Sequence, residues 1–369
     1  MSAEVRPLRL VLKALWLFVV INLLYALVNP RGGQVSGYNV VFPGRTRLPF
    51  GISGDPYTVS VDDIDAMFAS HRISVPKGPG EFRVALIGDS AIWGEGLSAY
   101  EEISEELNRQ NIQCGAMSVR AYNLGYPHPS ILKDLVILDK TMEYEPDLIL
   151  WFVTLNTFFS QRINPFLVAN RLQAAGLLQD YDIAFREHPV LVRDEPNLYE
   201  RTLIGRRSSL ARQVRLQMLG IIWTATYTDT TPAAIAERAD FYVNEDPRYR
   251  TLQPPDDIRA LLLLDALEAG HRLAGRIPVL IINEPIYIVD ESVNGVRYNA
   301  AYPRWAYDQY REELASRAQE GGWNYLDLWD AIPRELFLDP GFHLTLDGER
   351  RLVQRLSPVV ADIACDTKP

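Results

Sequence analysis

From Phe82 onwards, short apolar runs that end in turn residues alternate with segments whose apolar residues recur at helical spacing. The apolar runs predict five buried strands: RVALIGDS, MSVRAYNLGYP, PDLILWFVTLN, IPVLIINEP and WNYLDLWDAI. The segments that predict helices include AYEEISEELNRQ, SILKDLVILDKTMEY, DIRALLLLDALEAGHRLAG, RWAYDQYREELASRAQEGG and LTLDGERRLVQRLSPVVADI. Strands and helices that alternate in this way predict a three-layer α/β/α sandwich around a central, mostly parallel sheet of about five strands.

The alternation stops between residues 157 and about 255, where no strand–helix unit is recognisable. Two stretches there have helical spacing, PFLVANRLQAAGLLQDY and SLARQVRLQMLGIIWTATY. We therefore expect a helical insertion at the carboxyl end of the third strand, within a domain that spans residues 81–365. The apolar end of the second stretch predicts an internal packing face, because Arg215 and Gln217 interrupt it. Contact with a membrane is the alternative.

The first thirty residues differ from the rest, since residues 10–28 are apolar except for Lys13 and Asn22. A helix of this length would just cross a bilayer, which takes roughly 20 residues. Arg6 and Arg9 precede it, and the excess of positive charge on that side predicts a cytoplasmic N-terminus. Residues 1–30 are thus predicted to form an uncleaved membrane anchor. A cleaved signal peptide and a buried helix are the alternatives. Residues 31–80, rich in Gly, Pro and polar residues, predict a linker and lead-in.

Charge and cysteine content narrow the choice of partners. The formal net charge of −10 over 369 residues argues against nucleic acid, which needs a basic face. The two cysteines, Cys114 and Cys365, have neither metal-binding nor redox spacing. We expect two inert thiols, with a disulfide as the alternative.

Polar residues follow the predicted strands at their carboxyl ends, where ligands bind in open parallel sheets. The first strand ends at Ser90, the second at Gly125 and the third at Asn156, and a late loop before the last helix supplies Asp339 and His343. An acyl-transfer site needs a serine, a histidine, an acid and small or amide groups close together, and these residue types follow the strands here.

Chemistry assigns a role to each of these residues. Ser90 would be the nucleophile, His343 the base that takes its proton, and Asp339 the group that orients the imidazole. The backbone N–H groups of Ser90 and Gly125 and the side-chain amide of Asn156 would form the oxyanion hole. Ser90 as an ordinary helix cap and Asn156 as an ordinary turn residue are the alternatives.

Three further residues near the predicted rim are candidate substrate contacts: Asp89, His128 and Glu284. For Asp89 the alternative role is support of the turn, and for Glu284 it is capping a turn before Pro285. The GDSAIWGEG segment lacks the glycine spacing and the terminal Lys-Ser/Thr of nucleotide-binding loops. No cofactor is predicted, and no His/Cys/Asp cluster suggests a catalytic metal.

The predicted site residues and the sequence around them resemble the SGNH, or GDSL, hydrolase superfamily. IGDS is similar to its first sequence block, YNLGYPHPS to the second, FVTLNTF to the third and DPGFHLT to the last, in the family's order. Two positions depart from the pattern. The third block usually reads G-x-N-D but is Thr154-Leu155-Asn156-Thr157 here, and Asp339 lies four rather than three residues before His343. Some members of the superfamily work as Ser–His dyads.

The resemblance implies a flavodoxin-like fold and a serine esterase or O-acyltransferase. The anchored layout is most similar to the DltD and alginate-acetylation families. This likeness implies an extracytoplasmic domain, an acylated cell-surface glycan as substrate and a membrane-bound O-acyltransferase as a partner. A lipid ester is the alternative substrate. The alternative to an enzyme is a non-catalytic protein that has the SGNH fold and belongs to a surface-polymer acylation assembly.

Overall fold

The computed structural model describes residues 7–366, apart from 31–32, 34–35, 42–43, 51–61, 160–162, 186–190, 192–195, 227–255 and 293. Its centre is a six-stranded sheet with the strands β1 (Glu81–Ile87), β2 (Gln113–Cys114), β3 (Met117–Asn123), β4 (Leu148–Val153), β5 (Val279–Asn283) and β6 (Asn324–Asp327).

The strand order is β2-β3-β1-β4-β5-β6. All neighbours pair in parallel except β2 and β3, which form a short antiparallel hairpin at one edge. Without β2, the five remaining strands have the order 2-1-3-4-5 of a flavodoxin-like sheet. The predicted fold class is thus confirmed. The prediction missed β2, because two residues are too few to give a periodic pattern.

Thirteen α-helices lie among the described residues. They are α1 (Pro7–Val28), α2 (Gly37–Val41), α3 (Ile64–Ala69), α4 (Ser90–Trp93), α5 (Ile103–Arg109), α6 (Ile131–Thr141), α7 (Pro165–Ala169), α8 (Arg171–Asp180), α9 (Leu198–Arg201), α10 (Arg207–Thr226), α11 (Asp265–Ala274), α12 (Arg304–Gly321) and α13 (Leu346–Asp366).

Side-chain alternation along the strands builds a core on each face of the sheet. In β4, Ile149 and Trp151 pack with α6, α11 and α12 on one face. Leu150 and Phe152 pack with α5 and α13 on the other. Every residue of β4 is buried, as the nearly continuous apolar run predicts.

One predicted helix begins later than expected. The pattern predicts a helix from residue 257, but α11 begins at Asp265. Leu262 forms an antiparallel bridge with Phe159, and the N–H of Leu263 donates to the carbonyl of Phe158 at 2.9 Å. These contacts with the turn after β4 hold Leu262 in an extended conformation, so tertiary pairing overrides the local helical periodicity.

The expectation of two inert thiols is wrong, because Cys114 and Cys365 form a disulfide. The bond joins the edge strand β2 to the last turn of α13 across 251 residues of sequence. Spacing alone could not reveal this pair, since the two cysteines come together only when α13 packs against the end of the sheet.

The N-terminal helix α1 is long and apolar enough to cross a membrane, and it alone among the described helices meets both criteria. Most of its large apolar side chains are exposed. The described part of the segment 157–255 contains α7, α8, α9 and α10, so it is helical there. The stretch 227–255 lies outside the described residues.

Candidate active site

A tight strand-to-helix turn presents Ser90 at the carboxyl end of β1. Asp89 is the N-cap of α4, and its Oδ1 accepts a hydrogen bond from the N–H of Ala91 at 2.9 Å. Ser90 is the first residue of the helix. Gly94 ends the helix after four residues with a left-handed φ of 84°, a conformation that glycine adopts without strain.

Ser90, His343 and Asp339 form a continuous hydrogen-bonded chain. Ser90 Oγ lies 2.9 Å from His343 Nε2. His343 Nδ1 is hydrogen-bonded to Asp339 Oδ2. With Nδ1–H donating to the carboxylate, an assignment that follows from the hydrogen-bond network, Nε2 is left as the acceptor for the serine hydroxyl. The three residues predicted to act together are therefore in contact, although Ser90 and His343 lie 253 positions apart.

The extra residue between Asp339 and His343 is accommodated by the loop's own hydrogen bonds. Asp339 Oδ1 accepts from the N–H of Gly341 at 2.9 Å and from the N–H of His343 at 3.3 Å. The N–H of Leu338 donates to the carbonyl of His343 at 2.8 Å and closes the loop. The carboxylate thus folds the loop back on itself with one oxygen while the other oxygen contacts the imidazole.

Glu95 is a further acidic residue at the site that the sequence analysis did not single out. Its Oε2 lies 3.5 Å from His343 Nε2, and its side chain is 43% exposed. The N–H of Glu95 donates to the carbonyl of Ser90 at 3.0 Å, so the turn after α4 carries this carboxylate back toward the nucleophile. The available signal was the short Gly-Glu-Gly segment, in which Gly94 and Gly96 both have φ values of 84°.

The charges around the imidazole change two pKa values. Burial alone would lower the pKa of His343, but the hydrogen bond and charge of Asp339 and the charges of Glu95 and Asp89 outweigh it and raise this pKa. Burial alone would raise the pKa of Asp339, but its bonds to His343 and to the N–H of Gly341 lower it. Asp339 thus stays ionised and favours the imidazolium form that a general base passes through.

Gly125 lies directly against α4. A Cβ at this position would lie 2.6 Å from the backbone N of Trp93 and 2.8 Å from the carbonyl carbon of Ile92, so only glycine fits. Its N–H donates to Oδ1 of the fully buried Asn123 at 3.0 Å. The structure therefore gives this N–H an acceptor other than the oxyanion for which we predicted it.

Asn156 is 3% exposed and lies in a short 3-10 helix immediately after β4. The residues that depart from the G-x-N-D pattern shape this turn. The N–H of Thr154 donates to Thr157 Oγ1 at 3.1 Å, and Thr154 Oγ1 is hydrogen-bonded to the hydroxyl of Tyr302 at 3.0 Å. The two threonines form a capping box that holds the turn carrying Asn156.

The three candidate substrate contacts occupy different places. His128 is exposed at the rim, has a left-handed φ of 79° and makes an edge contact with the ring of Phe50 at 5.7 Å between centroids. Asp89 and Glu284 are buried, at 3% and 2% exposed. Both side chains are thus buried, as those of Ser90 and Asn156 are, and their contact with substrate stays a prediction.

A buried ammonium group connects the loops that carry Ser90 and Gly125. Lys133 on α6 is fully buried, and its Nζ donates to the carbonyl of Gly88 at 2.8 Å and to that of Tyr126 at 2.7 Å. It also pairs with Asp134 at 2.7 Å. Burial raises the pKa of Asp134 to about 6, and burial together with neighbouring carboxylates raises that of Glu284 well above its ordinary value. In the helical pattern Lys133 is one polar position among many, so the sequence gives no sign of this role.

Part of the predicted lead-in also supports the site. Arg47 donates to the carbonyls of Gly94 and Leu97, each at 3.1 Å, and its guanidinium stacks over the ring of Trp93 at 4.1 Å. Phe50 packs against the rings of Trp93 and Tyr126. Within the residues that the structure describes, no group of three or more His, Cys, Asp and Glu side chains is arranged to hold a metal ion.

No protein-family model matches the sequence, and no curated protein matches it significantly. Several solved structures are distantly similar. A protein from Lactobacillus plantarum is 13% identical, with a TM-score of 0.38, over 77% of this chain and 99% of that one. A carbohydrate acetylesterase family member from Sinorhizobium meliloti is 13% identical, with a TM-score of 0.33, over 76% and 98%. A G-D-S-L family lipolytic protein from Veillonella parvula is 11% identical, with a TM-score of 0.35, over 76% and 97%. Likenesses at these scores carry no argument about activity.

Proposed function

We propose that this protein is a serine esterase or O-acyltransferase of the SGNH type that works through an acyl-enzyme. One observation carries the proposal: the hydrogen-bonded chain from Ser90 through His343 to Asp339 at the carboxyl end of a parallel sheet. The four sequence blocks of the superfamily lie on the turns that build this rim, which supports the assignment.

The reaction follows from the geometry. Ser90 Oγ attacks the carbonyl carbon of an ester while its proton passes to His343 Nε2. The bond from this carbon to the alcohol oxygen then breaks, and His343 returns the proton to that oxygen. Water or an acceptor hydroxyl attacks the acyl-enzyme, its proton goes to Nε2, and Ser90 regains a proton as the new acid or ester leaves.

Candidate donors to the oxyanion are the N–H of Ser90, at the first position of α4, and the side chain of Asn156. Ser90 has the orphan N–H of a helix N-terminus. The N–H of Gly125 would join them only by leaving Asn123 Oδ1, with which it is hydrogen-bonded.

The domain would act outside the cytoplasm, anchored by α1 with the N-terminus inside. The basic residues before the apolar segment support this orientation. The disulfide between Cys114 and Cys365 supports it independently, because disulfides persist mainly in oxidising compartments. We therefore assign residues 1–30 as the anchor and 81–365 as the catalytic domain with its insertion.

The substrate class we propose is the O-acyl group of a cell-surface glycan or related polymer, as in the DltD and alginate-acetylation families that the sequence resembles. A membrane-bound O-acyltransferase is the corresponding partner. This finer assignment rests on the anchor and on the motif resemblance.

A fluorophosphonate probe tests the chemistry directly, because it labels only an activated serine. We expect labelling of the full chain in detergent, loss of labelling in Ser90→Ala, and unchanged labelling in Ser316→Ala, an exposed serine on α12. Release of acetate from an acetylated glycan, with and without a free glycan acceptor, separates hydrolysis from transfer. An unlabelled but folded wild-type protein would instead support the non-catalytic alternative.

A further inference from the structure

A different carboxylate lies beside each ring nitrogen of His343. Asp339 is hydrogen-bonded to Nδ1, whereas Oε2 of Glu95 lies 3.5 Å from Nε2. Nε2 is also the nitrogen that contacts Ser90 Oγ, at 2.9 Å. Asp339 orients the ring, so the site already has its orienting acid. Glu95 instead lies on the side of the ring where protons are exchanged with the reacting groups.

The turn that carries Glu95 is fixed by the body of the protein. The N–H of Glu95 donates to the carbonyl of Ser90 at 3.0 Å. The carbonyl of Gly94 accepts hydrogen bonds from Arg47 and from the N–H of Leu97, each at 3.1 Å. Arg47 is buried, at 8% exposed. Backbone hydrogen bonds and a buried guanidinium therefore set the position of Glu95 relative to the nucleophile, independently of the imidazole.

The gap between Glu95 and His343 suits one oxygen atom. Because Oε2 and Nε2 are 3.5 Å apart, a single oxygen can lie at hydrogen-bond distance, about 2.8 Å, from both. It would then also lie beside Ser90, where the nucleophile of the second step must attack. The side chain of Glu95 is 43% exposed, so solvent reaches it. A carboxylate accepts about four hydrogen bonds, and contact with the imidazole leaves capacity for a further donor.

We propose that Glu95 binds and orients the water molecule that hydrolyses the acyl-enzyme, and that it thereby favours hydrolysis over transfer to an alcohol. The inference deepens the proposed function and rests on the acyl-enzyme at Ser90. It assigns to Glu95 a catalytic role in the second step alone.

The second step balances with Glu95 in this role. The water oxygen attacks the acyl carbon, one of its protons passes to Nε2 of His343, and its other O–H donates to Oε2 of Glu95. The bond from the acyl carbon to Ser90 Oγ then breaks, and Nε2 returns its proton to Oγ. The carboxylic acid leaves with the second proton of the water. Glu95 exchanges no proton and acts by holding the attacking oxygen in line.

An alcohol cannot make both contacts through its attacking oxygen. It has a single O–H proton, which must pass to Nε2 of His343, so the oxygen has none left to donate to Glu95. The carboxylate therefore stabilises the attack of water and leaves the attack of a simple alcohol unassisted. A sugar can offer a neighbouring hydroxyl to Glu95, so methanol, which has only one hydroxyl, is the discriminating probe.

The first step does not use this contact. In acylation the proton passes from Ser90 Oγ to Nε2 of His343, and no water takes part. A loss that is confined to attack by water is therefore specific to the proposed role. A general disturbance of the turn would slow acylation and both kinds of deacylation together.

Partition of the acyl-enzyme between water and methanol tests the proposal on the full chain in detergent. The acyl donor is p-nitrophenyl acetate, and the ratio of methyl acetate to acetate is measured at a fixed methanol concentration by NMR. This ratio compares the two attacks whichever step limits turnover. Stopped-flow release of p-nitrophenolate measures acylation separately. All rates are taken on the pH plateau where His343 is neutral, because the charge of Glu95 also raises the pKa of that imidazole.

We expect Glu95→Ala to slow attack by water about 10–100-fold, the usual effect of one hydrogen bond to a charged group, and to raise the ratio of methyl acetate to acetate by the same factor. Acylation and methanolysis should be nearly unchanged. Glu95→Gln keeps an acceptor oxygen without the charge and should lie between Glu95→Ala and the wild type. Glu291→Ala, at an exposed position, is the matched control and should have the wild-type ratio.

Three results would overturn the proposal while the esterase chemistry stands. An unchanged ratio in Glu95→Ala shows that the carboxylate does not distinguish water from alcohol. Equal slowing of acylation and deacylation assigns Glu95 a structural role. Faster acylation in Glu95→Ala, without a change of ratio, shows that the carboxylate competes with Ser90 for Nε2. If the folded wild-type chain neither turns over the ester nor reacts with a fluorophosphonate, the proposed function itself fails.

Discussion

The two loops that meet at the active site are held in different ways. The turn with Ser90 is buried, packed by the sheet and joined to the neighbouring loop by Lys133, and Ser90 itself is 7% exposed. The loop from Leu338 to His343 is half-buried throughout and is held by hydrogen bonds: to Asp339, within its own backbone, and from the N–H of Tyr287 to the carbonyl of Gly341 at 2.7 Å.

The difference shows that Ser90 and His343, which must react together, are held in place by different interactions. The nucleophile is positioned by core packing, so its location follows from the fold. The base is positioned by a hydrogen-bonded loop, in which Asp339 contacts the imidazole with one oxygen and accepts backbone N–H groups with the other. A substitution in the packing around Ser90 should therefore lower mainly the free energy of unfolding. A substitution that removes charge beside His343 should lower mainly kcat.

The largest expected effect is that of Asp339→Asn. The amide oxygen can still accept the N–H of Gly341 and keep the loop closed, but it cannot stabilise the imidazolium of His343. We expect kcat to fall by about 10⁴-fold with the melting temperature nearly unchanged. A loss of less than tenfold in ester hydrolysis would mean that Ser90 and His343 work as a dyad.

Lys133→Met should show the opposite profile. It removes the ammonium donor of two loop carbonyls and leaves the buried Asp134 with Trp151 Nε1, at 3.4 Å, as its remaining donor. We expect the free energy of unfolding to fall by about 3–5 kcal/mol. Denaturant titration measures this. Lys140→Met, on the same helix but paired with the more exposed Asp65 and Glu143, is the control and should lose less. Equal losses would show that Lys133 has no special part in joining the loops.

Asn156→Ala tests the third loop at the rim. If its amide donates to the oxyanion, kcat should fall by about 10²–10³-fold, or roughly 3–4 kcal/mol, with KM little changed. Asn164→Ala is a matched control, because that residue caps α7 through its side chain. The control should lose about 1 kcal/mol of stability and no kcat. An Asn156→Ala enzyme with normal kcat would limit Asn156 to a role in the turn.

The smallest expected effect is that of Glu95→Gln on pH dependence. His343 must be neutral to act as base, so activity falls as the pH drops through its pKa. The charge of Glu95 helps to raise that pKa, and its removal should move the acid limb of kcat/KM to lower pH by less than about one unit. Glu291 is exposed and is not among the charges that raise the pKa of His343, so Glu291→Gln should leave the limb in place. A shift of the acid limb to higher pH would contradict the claim that the charge of Glu95 raises the pKa of His343.

The strands and the rim residues could be predicted because each depends on local chemistry. The apolar run of β4 and the turn after Ile87 carry their signals within a few residues, and parallel strands bring their carboxyl ends to one edge. The contact between Ser90 and His343 follows from that topology. Whether Asp339 reaches His343 could not be predicted in the same way. The loop has one extra residue, and the hydrogen bonds that accommodate it leave no pattern in the sequence.

The amino-acid pattern alone is sufficient for the α/β class, for the helices in the described part of the segment 157–255 and for the residues that gather at the rim, since periodicity and turn chemistry are local properties. The disulfide, the bridge made by Lys133 and the contact between Glu95 and His343 appear only in the folded chain. Each joins residues far apart in sequence, and burial determines which polar groups must find partners there.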